Sequence, residues 1–137
     1  MDDFRQAAGP AQLTSASTIT LARTAAEAIR GLNHATRHDA GLDQPSVAYD
    51  VLGALRQAAS GLPQLTAQIT SYLGQALAAG KLGHDRGEDP ALAIDGAVIF
   101  LGDAAISAGA LAGDLDAAQQ QLALINGRPA PHRKDTP

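Results

Sequence analysis

Between Ile94 and Ile125 an apolar residue stands at every step of an alternating three-four spacing: Ile94, Ala97, Leu101, Ala104, Ala108, Leu111, Leu115, Ala118, Leu122 and Ile125. A spacing that averages 3.5 residues draws one narrow seam along a long helix, and such a seam has to be covered by other helices. Two neighbouring stripes mark an earlier helix, Ile19, Ala22, Ala26, Ile29 and Leu21, Ala25, Ala28, Leu32. Its opposite side carries Arg23, Glu27, Arg30, His34 and Arg37 at helical spacing, a solvated stripe. Between them lies a third pattern, Ala48, Leu52, Leu55, Ala59, Leu62, Leu65, Ile69, Tyr72 and Ala76.

Capping residues bound these segments. Thr14, Ser15 and Ser17 are candidate N-caps for the first helix, and Asp39-Ala40-Gly41 should end it near His38. Gln44-Pro45-Ser46 starts the second helix, and Asp89-Pro90 the last, which should run to Asn126-Gly127. Pro63 interrupts the middle pattern, and an interior proline costs a helix ~3 kcal/mol. The apolar phase nevertheless passes through it without a slip, whereas a reversal has no reason to keep phase. The chain thus reads as an all-α antiparallel bundle of three long helices, the middle one kinked at Pro63. A four-helix up-down bundle is the alternative. Gly96, Gly102, Gly109 and Gly113 inside the last helix mark either close helix crossings or a break near Gly113. Residues 12–127 form a single domain on this reading, with a flexible segment at 1–11 and a disordered tail at 128–137.

Composition narrows the chemistry. Thirty of the 137 residues are alanine, so helices can approach closely while each contact buries little area. Without cysteine the chain has no disulfide, no thiol nucleophile and no Cys-type zinc site. Met1 to Arg5 shows neither the basic nor the apolar region of a signal peptide, and no run approaches the ~18 apolar residues of a span, so a cytoplasmic protein without membrane contact is expected. A net charge of −4 argues against general nucleic-acid binding, although Arg23, Arg30 and Arg37 line one stripe. Six acids and no Lys or Arg lie between Gly87 and Gly127, so a basic first helix could attract an acidic last one, within one chain or between two.

Candidate sites are few. His34 and His38 are four apart, a spacing that lets two imidazoles face one metal, with Asp39 to complete the set and, in the four-helix alternative only, His84 as well. Polar and cationic side chains are also favoured at a helix C-terminus without any metal, and Arg37 would repel a cation. Asn33 falls on the inner stripe of the first helix, where an amide needs partners. Tyr49 and Asp50 begin the next helix across a short link, so Asn33, Arg37, Tyr49 and Asp50 are the best ligand-binding candidate; a polar layer that sets helix register is the plainer reading. Asp95 and Asp103 read as exposed helix charge. Val98-Ile99-Phe100-Leu101 leaves no polar side, so that turn should be enclosed by other helices or a second subunit.

Di-iron bundles need Glu-x-x-His pairs, and neither Glu27 nor Glu88 has a histidine three residues on. Helical hairpins of the WXG type need a tryptophan that this chain lacks, and GKLGHDRG (80–87) lacks the glycine spacing and Ser/Thr of a phosphate loop. The segments LARTAAEAIRGLNHATR (21–37), YDVLGALRQAASGLPQL (49–65) and DPALAI from Asp89 resemble small alanine-rich helical proteins of actinomycetes. That resemblance implies a helical fold and carries no activity, cofactor or site residue. The expected function is a non-enzymatic interaction or regulatory module without a cofactor, a homodimer or the partner of another helical protein, using Leu101, Leu111, Leu115 and Leu122 as interface. The alternative is a small-ligand or metal-binding protein with its site at the helix 1/helix 2 junction.

Overall fold

The computed structural model describes residues 13–128, and both expected terminal segments lie outside them apart from Arg128. The described residues hold three helices and no strand: α1 (Ser15–Ala35), α2 (Pro45–Ala78) and α3 (Pro90–Leu122). The described residues are thus all-α, and the four-helix alternative falls because α2 runs through Pro63 without interruption. Two compact units divide at Asp43/Gln44, the first containing α1 and the second the α2–α3 hairpin.

Helix α1 is defined by its caps. Thr14 is the N-cap, and its hydroxyl accepts from the Ser17 backbone N–H at 3.1 Å while the Ser17 hydroxyl accepts from the Thr14 N–H at 3.0 Å. This reciprocal box satisfies two of the amides that a helix start leaves orphaned. The helix ends at Ala35, three residues short of His38, and the Gly41 N–H then donates to the His38 carbonyl at 2.9 Å. A Cβ at position 41 would run into the Ala35 carbonyl, so glycine is required where the chain folds under the helix end. No α1 residue is buried: Ile19, Leu21 and Ile29 of its apolar stripes are exposed as well as Arg23, Glu27 and Arg30, with a 3.4 Å Arg30–Glu27 ion pair.

In the second unit, Pro45 and Pro90 occupy the first turns of α2 and α3, where a missing N–H costs nothing. Asp89 caps α3 by accepting from the Ala91 N–H at 3.0 Å. Helix α3 stops at Leu122 with Ala123 as C-cap, one turn earlier than Asn126-Gly127 suggested.

Burial along α3 repeats at 3.5 residues, yet its members differ from the expected seam. Ile94, Leu101, Ala108, Leu115 and Leu122 are covered, and the alternate positions are Val98, Ala105, Ala112 and Gln119. Of the alternates read from sequence, Ala97 is half-buried like its neighbour Val98, while Ala104, Leu111, Ala118 and Ile125 are exposed. The covered face of α2 has the same repeat, Tyr49, Leu52, Arg56, Ala59, Pro63, Thr66, Thr70 and Leu73, while Leu62, Leu65, Ile69 and Tyr72 stay outside. Both helices therefore turn their smaller or more polar stripe toward each other. Two backbones come closest over small side chains, and the larger ones are displaced to the flank.

One contact sets the register of the hairpin. Gln119 on α3 is 8% exposed, and its Nε2 donates to the Tyr49 carbonyl on α2 at 3.2 Å. It occupies the space that a side chain at Gly53 would need, since a Cβ there would lie 2.5 Å from Nε2. One turn further on, Arg56 Nε lies 3.6 Å from Asp116 Oδ1; both side chains are about half exposed, so the pair contributes at most about 1 kcal/mol. The glycines of α3 play no such part. A Cβ at Gly96, Gly102, Gly109 or Gly113 would meet nothing within 4 Å, and the helix does not break there. The close crossing sits at Gly53, which the sequence pattern did not mark.

Two stability predictions result. Gln119→Ala should cost about 1–2 kcal/mol in chemical denaturation, from the lost hydrogen bond and packing. Gly53→Ala should destabilise the native protein by displacing the Gln119 amide, but stabilise the Gln119→Ala background by up to ~1 kcal/mol of helix propensity. Additive effects in this double-mutant cycle would show that the two residues do not share a site. In α1, Thr14→Ala should weaken the first turn by about 1 kcal/mol, read by amide exchange, whereas Thr14→Asp should keep the cap.

Candidate interaction face

In a seam with a seven-residue repeat, the positions just before each member lie on one flank and those just after on the other. On α2 the first flank holds Leu62, Leu65, Ile69 and Tyr72, and the second holds Ser60, Ala67, Gln64 and Ser71. On α3 the first flank holds Ala97, Phe100, Ala104, Ser107, Leu111 and Asp114, and the second holds Asp95, Ile99, Gly102, Ile106, Gly109 and Asp116. Two right-handed helices packed antiparallel present equivalent flanks on the same side of the pair. The shallow cleft between them confirms this: Pro63, Thr66, Ala67 and Thr70 line it from α2, and Val98, Leu101, Gly102 and Ala105 from α3. Ala67 and Gly102 both belong to the second flank.

The two sides of the hairpin differ in charge more than in apolarity. The second side carries Asp95 and Asp116, with small and polar residues from α2 and the exposed Ile99 and Ile106 from α3. The first side is a continuous apolar surface supplied by both helices, with Tyr72 65%, Phe100 74% and Leu111 48% exposed. Asp114 is the one charged residue among the flank positions of that side. Fully burying a large apolar side chain gains ~1.5–3 kcal/mol over leaving it in water. None of the large side chains of the described residues is fully buried, so part of that gain is unrealised within the described hairpin. Leu92, Ile99 and Ile106 make a second apolar strip along the other flank of α3, interleaved with Asp95 and Asp103. The Ile99-Phe100 turn expected to be enclosed is thus open to solvent on the hairpin.

The candidate residues read from sequence fall as follows. Leu101, Leu115 and Leu122 are half-buried members of the α2–α3 seam, and Leu111 alone of the four belongs to the exposed face. Asn33 and Arg37 belong to the first unit and are exposed there; Tyr49 and Asp50 belong to the second, Tyr49 half-buried and Asp50 exposed. The Tyr49 group in use is its backbone carbonyl, which holds Gln119. His34 and His38 stand edge-to-face with ring centroids 5.3 Å apart, both exposed. Among the described residues no three His, Cys, Asp or Glu side chains are grouped to hold a metal. His84 is engaged locally: its Nδ1 accepts from the Arg86 N–H at 3.1 Å, and its Nε2 lies 3.7 Å from Glu88. With Gly83, Asp85 and Arg86 these two line an open polar hollow in the α2–α3 loop.

Gln119, Gly53, Arg56 and Asp116 were not legible as a group. Gln119 begins a Gln-Gln-Gln run that reads as solvated surface, and its one signal is being in phase with Val98, Ala105 and Ala112. By length and composition α3 is apolar enough to cross a membrane, a property shared by core helices of soluble proteins. Comparison with family models, with curated proteins and with solved structures returns no match for this chain.

Proposed function

We propose that this protein is a non-enzymatic helical interaction module that self-associates through a helix face. The observation that carries this reading is the apolar side of the α2–α3 hairpin, contributed by two helices and left uncovered by either. Contiguous exposed apolar surface of this kind is what interaction sites present, whereas scattered single residues are not. The chemistry available elsewhere is sparse. Among the described residues the histidine pair has no third ligand grouped with it, and the polar hollow at His84 is open and internally paired. A cytoplasmic location fits an acidic, cysteine-free chain acting in this way.

Light scattering on metal-free protein should give twice the chain mass, and the same mass after zinc is added. A monomer at all concentrations would overturn the proposal, and a mass that changes with zinc would move the site to His34 and His38. Leucine positions separate assembly from folding. Leu111→Asp should yield a monomer with native helix content by circular dichroism, because Leu111 is exposed on the hairpin. Leu115→Asp should instead destabilise the hairpin itself by several kcal/mol, because it places a charge in the seam.

A further inference from the structure

The apolar side of the hairpin is uncharged apart from Asp114, so its occupant must itself bring an apolar, uncharged surface. A second copy of the chain offers such a surface, and a two-fold axis lets identical patches close on each other without leaving either open. The size is right for this. From Val51 to Tyr72 the strip is about 30 Å long and two helix diameters, about 20 Å, wide. That footprint is on the order of the ~800 Å² per partner of a stable interface once side-chain relief is counted.

Charge selects the arrangement. Helix α3 carries Asp95, Asp103, Asp114 and Asp116 and no Lys or Arg, with Asp103 and Asp114 bordering the apolar side. Laying α3 on α3 would bring these acid rows together as apolar surface closes around them, which is unfavourable. Laying α3 across α2 sets Asp103 and Asp114 instead against a helix whose one acid is Asp50. The same bordering acids, with no basic residue on that side, disfavour an anionic lipid surface as occupant.

We infer that two copies pack apolar side to apolar side, with α3 of each lying antiparallel across α2 of the other, making a four-helix interface about a two-fold axis parallel to the helices. This rests on the self-association proposed above and specifies its surface. The chain has no cysteine, so introduced thiols report geometry without background. Chains with Leu65→Cys mixed with chains carrying Ser107→Cys should give a covalent mixed dimer as the main species on mild oxidation. Ala58→Cys mixed with Asp114→Cys is a second pair at another level of the same face, should the first perturb folding. Gln64→Cys, on the opposite side of the hairpin, should not cross-link. A dimer by light scattering that cross-links through Gln64→Cys, or through Ser107→Cys alone, overturns this geometry and leaves self-association standing. A monomer overturns both. If the Leu65→Cys thiol of that monomer resists modification, the face is covered within the chain. If the monomer instead floats with phosphatidylcholine or phosphatidylglycerol vesicles, the face is a lipid contact.

Discussion

Gln119 lies in the groove that Gly53 leaves open, and the geometry of the hairpin is set around that contact. A glutamine amide this deeply covered needs a partner, and a helix backbone usually has no carbonyl to spare. Gly53 removes the side chain that would stand in the way, so the amide can reach the Tyr49 carbonyl one turn back. Sliding α3 along α2 by a few residues would strand the amide against alkyl side chains. An alanine-rich seam, in which many registers pack about equally well, gains a unique alignment from this single polar contact.

The choice of register decides which stripe each helix shows to solvent. With Gln119 inward, Val98, Ala105 and Ala112 follow it inward at the same phase, and Leu111 and Phe100 turn outward. On α2 the same alignment brings in Pro63, Thr66 and Thr70, and leaves Leu62, Leu65, Ile69 and Tyr72 outside. A proline in this position has a use beyond tolerance. Its compact ring suits a close seam, and the Thr66 hydroxyl donates to its carbonyl at 3.0 Å. The small-residue seam and the apolar outer side are thus one feature seen from two directions.

Function follows from surface rather than from reactive groups on this reading. The described histidines, the acids of α3 and the arginines of α1 are exposed or half-exposed; Arg30 pairs locally with Glu27 and His84 with Glu88, while Asp116 pairs across the hairpin with Arg56. What distinguishes the hairpin from a finished two-helix unit is its uncovered side, large enough to matter energetically and nearly free of charge.

By itself the sequence determined the helical class, the cap at Asp89 and the prolines that open α2 and α3; it narrowed the α1 cap to Thr14, Ser15 or Ser17 and favoured the continuity of α2 through Pro63. These follow from local chemistry, because a cap, a fixed φ angle or an unbroken period acts within one or two turns. It also determined the 3.5-residue repeat of α3 and half of the seam, the five positions seven residues apart from Ile94 to Leu122. It did not determine the other half. Ala97, Ala104, Leu111 and Ala118 continue that repeat as well as Val98, Ala105, Ala112 and Gln119 do, and hydrophobicity alone favours the first set. Only the tertiary structure decided between them, because the closeness of two backbones depends on which small residues on one helix oppose which on the other. Gly53 and Gln119, 66 positions apart, have no signature until the hairpin brings them together.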